Sequence, residues 1–504
     1  MFVRKLKSKN GKTYIQVVDK RTGRFKVLKS FGGDDSQEGL KVLIRKANNW
    51  INLQTGSQEL DFSNVDELVE KFVDSIQQMK RVGFDYLLGG IFDDIGFNRI
   101  EDEFFRQLVI CRIAYPKSKL KTTEYLYRYK QIDWSEDQLY RYLDKLYTSQ
   151  KELVQQISYE HTLKILNHQI SVVFYDVTTI YFEIDQEDDL RKTGFSKEGK
   201  HQNPQIVLGL LVSKDGYPLA YEIFEGNKFE GHTMIPVLEA FREKYNLSQL
   251  VIVADSGLLS KSNINDLQRK GYEFILGARI KNESDVIRKK VLALKLENGQ
   301  STIIKKNDLK LIVSYSEQRA KKDRYNRERG LRRLEKQIRT GRLTKSSLNN
   351  RGYNKFLKLE GEISITIDKE KLAQDAHWDG LKGYITNAKL NKDQIIENYQ
   401  NLWHIEKAFR ISKSDLKIRP VYHRLQRRIE AHICISFVAY KIYKELERQL
   451  QTMKADLSST KAIEIAENIF EIEATLPGSG KTIRKTLLLT DEQKYLAVLF
   501  GFGC

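Results

Sequence analysis

Three carboxylates stand out by position. Asp176 closes the apolar run Ser171-Val-Val-Phe-Tyr-Asp176, Asp255 closes Leu250-Val-Ile-Val-Ala-Asp255, and Glu406 lies inside Tyr399-Gln-Asn-Leu-Trp-His-Ile-Glu-Lys-Ala-Phe-Arg-Ile-Ser-Lys413, a stretch without Pro or Gly. Taken singly each has a plain structural role, since a strand-end Asp commonly caps the next turn and a helical Glu pairs with neighbours three or four residues away. Taken together, two strand ends and a later helical Glu can converge into a cage of oxygen ligands. Such a cage suits Mg²⁺ or Mn²⁺, hard ions that keep positions open for water and phosphate oxygens. Two ions roughly 4 Å apart can activate the attacking oxygen and stabilise the leaving one in an in-line displacement. The chemistry is then phosphodiester cleavage or transfer, with Asp176, Asp255 and Glu406 as metal ligands.

The surroundings of Glu406 extend this reading. At about 100° per residue, Tyr399, Trp403, Glu406, Arg410 and Lys413 fall within about 40° of one line on a continuous helix. Leu402, Ile405, Phe409 and Leu416 form the adjoining core-facing stripe. Tyr399, Lys413 and Arg410 are candidates to position the scissile phosphate, and Trp403 is a further DNA contact.

The elements that must hold these residues are legible as changes of period. From 171 the chain reads as buried strands. Gln205–Val212 and Tyr217–Phe224 flank Lys214-Asp215-Gly216, a hairpin turn signal. Met234–Tyr245 reads as an amphipathic helix, and Phe274–Gly277 as a strand after a further helix. The order is β-β-β-α-β-α-β, with acids at the ends of the first and fourth strands.

Before this core, residues 1–62 form a basic β-rich module with turns at Asn10-Gly11 and Thr22-Gly23. Residues 63–168 have helical spacing at Phe72, Ile76 and Met79, at Leu108, Cys111 and Ile113, and at Leu139, Tyr142 and Leu146. Within Tyr115-Pro-Lys-Ser-Lys-Leu120, Pro116 bounds a helix beside two cations. The core occupies 169–280 and resumes at 379–450, where Leu381–Thr386 is a strand and 392 to about 450 is helical. Between them, 281–378 reads as an inserted basic β-rich domain, and 451–504 as a C-terminal helical region. From Arg319 to Arg342 there are eleven Lys or Arg against three acids, either a solvated helix face or an element that tracks phosphates. The fold class is α+β and multidomain.

Composition selects the partner. The 504 residues carry 85 Lys plus Arg against 67 Asp plus Glu, a formal charge of +18, and a positive field of this size favours a polyanion. Cys111, Cys434 and Cys504 are too far apart in sequence for a CxxC pair, so a disulfide framework and a thiolate zinc site are not expected. There is no secretory h-region and no apolar run of about 18 residues, so neither export nor a membrane span is expected. Gly478-Ser-Gly-Lys-Thr482 resembles the tail of a P-loop, but Thr475 stands where that motif takes glycine and no strand is expected before it. The eight histidines lack metal spacing, and Trp378 reads as a core or interface residue before a base-stacking one.

These residues resemble a known family, the DDE-type insertion-sequence transposases with a ribonuclease H-like core, in the subgroup marked by Tyr-x2-Arg-x3-Glu-x6-Lys. Tyr399, Glu406 and Lys413 keep that spacing, Leu402 replaces the Arg, and Arg410 is a substitute cation on the same face. Tyr175-Asp-Val-Thr-Thr179 resembles the first-aspartate motif and Val253-Ala-Asp-Ser-Gly257 the second. Gly194 to Pro204 and Gly226-Asn227 before His232 are similar to the subgroup as well. The resemblance covers about 171–445.

Asp255 follows Asp176 by 79 residues and Glu406 follows Asp255 by 151, and the longer gap resembles members with a β-rich insertion before the catalytic Glu. The resemblance implies two Mg²⁺ or Mn²⁺ ions, nicking of double-stranded DNA at terminal inverted repeats, and attack of the freed 3′-OH on target DNA. It further implies a homodimer in the synaptic complex and a bacterial, cytoplasmic, nucleoid-associated protein. Two rival readings remain: a nuclease on the same core that cuts without joining, and a catalytically silent, transposase-derived DNA-binding protein.

Overall fold

The computed structural model describes residues 1–503 except 9–10, 22, 56–62, 147–149, 197–198, 248–249, 344–347, 350–351, 361–363 and 477–478, with the backbone alone at 63–68, 360 and 364. Asn10, Thr22, Lys197, Glu198, Gly478 and Cys504, which entered the sequence readings, lie outside the fully described set. The chain divides into two compact units, one of residues 1–79 with 472–485, the other of 80–471 with 486–504.

In the first unit, Phe2–Lys7, Thr13–Asp19 and Lys26–Asp34 form an antiparallel sheet in that order. Helix Gln37–Thr55 closes a small core around Ile15, Val17 and Ala47. The helical spacing read through Phe72, Ile76 and Met79 breaks down after Asp74. There the Ser75 hydroxyl donates to the Phe72 carbonyl at 2.7 Å, and Ile76–Arg81 is a strand. This strand joins a three-stranded sheet with Phe470–Thr475 and Thr482–Leu487. Its partners are nearly 400 residues away in sequence, beyond the reach of local periodicity.

The second unit is organised by an eight-stranded mixed sheet. Its strands, numbered in chain order, are β1 (Val172–Tyr181), β2 (Gln205–Ser213), β3 (Pro218–Glu225), β4 (Val251–Ala254), β5 (Glu273–Ala278), β6 (Ser301–Lys306), β7 (Leu309–Tyr315) and β8 (Leu381–Thr386). In space they run β6-β7-β8-β5-β4-β1-β2-β3. The pairs β1/β4 and β4/β5 are parallel and the other pairs antiparallel. The predicted hairpin turns at Gly216, whose φ of 86° is the left-handed conformation that glycine adopts without a Cβ penalty.

Side chains alternate across the sheet. On one face Phe174, Val253 and Ile275 share a core with Ile405, Phe409 and Phe437. On the other, Tyr175, Ala254 and Leu276 pack with Met234, Leu238 and Phe241. Buried on both faces, β1 and β4 read as unbroken apolar runs for that reason.

Two further expectations change. Part of 281–378 is not an appendage, because β6 and β7 extend the main sheet and β7 pairs with β8 from Tyr315↔Leu381 to Lys310↔Thr386. The rest comprises helix Glu317–Arg339, a two-stranded ribbon of Leu357–Glu360 and Ser364–Ile367, and helix Lys369–Ala376. The C-terminal stretch is mixed and not helical. A strand, Phe470–Thr475, does precede Gly478-Ser-Gly-Lys-Thr482, but another strand follows it where a P-loop has a helix. Cys111 and Cys434 are buried free thiols. Among the described residues no helix is long and apolar enough to cross a membrane.

Since Ile252 is fully buried at the centre of β4, Ile252→Ala should cost about 2–5 kcal/mol. The effect is measured as a lowered urea midpoint at unchanged slope.

Candidate active site

Register brings the two aspartates together. In the parallel pair β1/β4, Tyr175 lies opposite Ala254, so Asp176 and Asp255 follow side by side about 4.8 Å apart. Asp255 directly follows β4 as expected, whereas Asp176 lies inside β1 and not at its end, because β1 continues to Tyr181 by pairing with β2. Alternation from Phe174 and Val253 turns both toward the face covered by helix Trp403–Ser414. That helix buries Ile405, Ala408, Phe409 and Ile411 and leaves Glu406 exposed. All three carboxylates therefore belong to one side of the sheet.

Asp176 is half-buried and accepts the Val177 amide at 2.8 Å. Asp255 is exposed and caps the turn Ser256–Leu258, accepting the Ser256 amide at 2.6 Å. A cavity of about 470 Å³ is lined by Asp255, Glu406, Tyr399, Trp403, Lys382 and Arg319, among others. Asp176 is not among its lining residues. Among the described residues no three His, Cys, Asp or Glu side chains are gathered closely enough to hold a metal.

The helix expected to run through 399–413 is in fact two, Lys392–Gln400 and Trp403–Ser414. Between them the amides of Leu402, His404 and Ile405 bond three residues back, to the carbonyls of Tyr399, Asn401 and Leu402. Such tight turns bring residues i and i+3 into line, so Tyr399, Leu402 and Ile405 are all buried while Trp403 and Glu406 face outward. Tyr399 nonetheless reaches the cavity, and its hydroxyl donates to Asp255 Oδ1 at 3.4 Å. Burial first, and the Asp255 charge second, raise its pKa and keep that donor protonated. Arg410, exposed, and Lys413, half-buried, lie farther along the second helix and do not line the cavity.

Gly277 makes the approach of Tyr399 possible. A Cβ there would stand 2.3 Å from the Tyr399 hydroxyl oxygen and 3.0 Å from the Ser256 amide. Sequence reasoning also missed two cations. Lys382 projects from β8 on the same face as Tyr384, 4.6 Å above the Tyr399 ring, and its pKa is lowered chiefly by burial and then by Arg319. Its signal was a lone cation in an apolar strand. Arg319, counted only as the first of a basic run, lies in the first turn of helix Glu317–Arg339, directly after β7. Trp403, about half exposed, stacks on His404 at 3.9 Å with the Lys407 ammonium 5.7 Å from its ring.

The chain belongs to the transposase DDE domain family, whose model matches residues 167–442, more than half its length and all of the site just described. No curated protein sequence matches it. Among solved structures, it is similar to a piggyBac transposase in a synaptic complex with hairpin DNA, with 9% identity, 79% of each chain covered and a TM-score of 0.39. A Mos1 transposase paired-end complex with the left transposon end matches with 11% identity over 34% of this chain and 58% of that one, at a TM-score of 0.16. A Mos1 mariner paired-end complex with Mn matches with 11% identity over 47% and 77%, at 0.15. Resemblance at this level assigns no residue.

Gly277→Ala should push Tyr399 off β5 and destabilise the protein by about 1–3 kcal/mol as overpacking. Tyr399→Phe, which removes one long hydrogen bond, should cost about 1 kcal/mol or less. Parallel urea titrations check this ordering.

Proposed function

We propose that this protein is the transposase of an insertion sequence, binding the ends of its element and catalysing metal-dependent DNA cleavage and strand transfer. One observation carries the reading: Asp176, midway along β1, and Asp255, just past the end of the parallel neighbour β4, lie side by side on the face covered by the helix of Glu406, inside the matched family domain. Asp176, Asp255 and Glu406 would be the metal ligands. The donors fit Mg²⁺ or Mn²⁺ in kind, since they are carboxylate oxygens and, among the described residues, neither thiol nor imidazole lines the cavity. When bound, two such ions supply Lewis acidity to the attacking and leaving oxygens.

The chain's own groups bind and orient the DNA. Lys382 and Arg319 bring positive charge to a phosphate in the cavity and compensate for Leu402, which stands where the family signature has Arg. The protonated Tyr399 hydroxyl holds Asp255 in place. The exposed ring of Trp403 offers a stacking face, and Arg410 and Lys413 contact the backbone beyond the scissile position. In helix Glu317–Arg339, Arg327 is committed to Asp379 at 2.5 and 2.6 Å, whereas Lys322, Arg329, Arg333 and Lys336 are exposed and track the duplex. Recognition of the inverted repeats belongs to residues 1–62 and 63–168, and synapsis to a homodimer.

The test incubates wild type and Glu406→Ala with labelled DNA carrying the flanking inverted repeats, with Mg²⁺ or with EDTA. Nicking and joining by wild type in Mg²⁺ alone are expected, with binding but no cleavage by the variant. Cleavage without joining would mark a nuclease, and binding without chemistry in both proteins a DNA-binding relic. Asp255→Ala should likewise bind ends without cutting them, and unimpaired cleavage would remove Asp255 from the site.

Replacing Lys322, Arg329, Arg333 and Lys336 by Gln should lower the slope of log affinity against log salt by about 0.9 for each phosphate that is no longer neutralised. Filter binding from low to moderate salt measures it, and an unchanged slope would leave that helix a solvated surface.

A further inference from the structure

The segment Tyr115-Pro-Lys-Ser-Lys-Leu120 takes no part in the site described above, yet it borders a second cavity of about 260 Å³. Pro116 separates helix Glu103–Ala114 from helix Lys119–Lys130, and Ser118 caps the latter by accepting the Lys121 amide. The opposite wall comes from residues 417–423, which follow the Glu406 helix, and from His432. Among the described residues no acid lines this cavity, whereas Arg112, Lys117, Lys119, Lys417 and Arg419 do.

Two of those cations are buried. Arg112 and Lys119 are each 6% exposed, and neither has an acidic partner among the described residues. Arg112 Nε and Nδ1 of the 5% exposed His432 have no hydrogen-bond partner there, while His432 Nε2 meets the Ile418 carbonyl at 2.9 Å. Asp144, on the helix that contributes Tyr140 to the wall, is tied to Arg427 and Arg428 at 2.8 and 2.7 Å. Helix Lys119–Lys130 has twelve residues, and the partial positive charge at its start lies at Ser118 and Lys119. Burial, and then the Arg112 charge, lower the pKa of Lys119 strongly, and burial lowers that of Arg112 to about 10, so the pocket as it stands strains its own charges. Uncompensated buried cations are destabilising, and an anion entering the cavity relieves them.

We propose that this cavity is a binding site for a phosphoryl group, and that its occupant is a backbone phosphate of DNA engaged by the same molecule. The group meets Arg112, Lys119 and the helix start, with Lys417 and Arg419 at the sides. Placement supports the DNA source. Val421 in the far wall bridges to Phe182, one residue beyond β1, and Phe182 lies six residues past Asp176. At about 3.3 Å per residue the cavity wall is therefore attached about 20 Å along the strand from the first aspartate. A duplex with its scissile phosphate at the carboxylates reaches that far within one helical turn of about 34 Å. Only this assignment of the phosphate to DNA rests on the transposase reading.

The experiment uses the full chain and Lys119→Met, which keeps the aliphatic stem and removes the charge. Thermal unfolding is followed with inorganic phosphate and with chloride at matched ionic strength, and DNA binding is titrated against salt. Wild type should gain stability with phosphate beyond chloride. Lys119→Met should melt higher than wild type in chloride, lose the phosphate gain, and bind DNA with a salt slope lower by about one. Equal responses to phosphate and chloride in wild type, or an undiminished phosphate gain in Lys119→Met, would overturn the site. Loss of the phosphate gain in Lys119→Met with an unchanged DNA slope would overturn the site's assignment to DNA and leave a free phosphate as occupant. None of these readouts requires cleavage, so an inactive protein would refute the transposase reading without touching the phosphoryl site itself.

Discussion

Everything in the site depends on the parallel pairing of Val172–Tyr175 with Val251–Ala254. An antiparallel pair would carry Asp255 to the opposite end of β4 from Asp176. Parallel pairing in equal register brings Asp255, where β4 ends, abreast of Asp176, midway along β1. It also requires a crossover, supplied here by the β2–β3 hairpin and helix Met234–Tyr245. The hydrophobic runs before Asp176 and Asp255 thus position chemistry as well as filling the core, because each buried residue fixes which face the next one takes. Glu406 is coupled to the same frame through Ile405, Ala408 and Phe409, which share a core with Phe174 and Val253.

What could be read from sequence was what is local. Apolar runs ending in Asp, the Lys214-Asp215-Gly216 turn, and the buried positions Leu108, Cys111, Leu139 and Leu146 each announce themselves within a few residues. What escaped was set by distant partners. Ile76 and Met79 fit a helical period but pair with a strand near the C-terminus. β6 and β7 resemble an insertion until β8, some seventy residues on, provides their edge. The break at Asn401 and Leu402 carries no Pro or Gly to mark it. It follows from seating Tyr399 against Gly277 while keeping Leu402 and Ile405 in the core. Lys382 and Arg319 escaped because a cation's neighbours, and not its type, decide whether it faces a site.

The same limit applies to charge. A formal +18 points to a polyanion but treats every cation alike. In the folded chain Arg327 is neutralised by Asp379, and Lys130 is held by Asp85 and Gln107. Arg112 and Lys119 meet no such acid among the described residues. The cations able to act on a polyanion are therefore a subset, and burial sorts them more sharply than number does.

The way β6 and β7 join the sheet also decides how the protein can be shortened. Removing 281–378 as a block would take away two strands along with the basic helix, and β8 would become an edge with unpaired amides and carbonyls. Bare edges of this kind recruit strands from other molecules, so the truncated chain would tend toward self-association. A cut confined to the chain between Ser316 and Gly380, whose backbone atoms already meet in a 3.1 Å hydrogen bond, would leave all eight strands in place and need only a short turn to close.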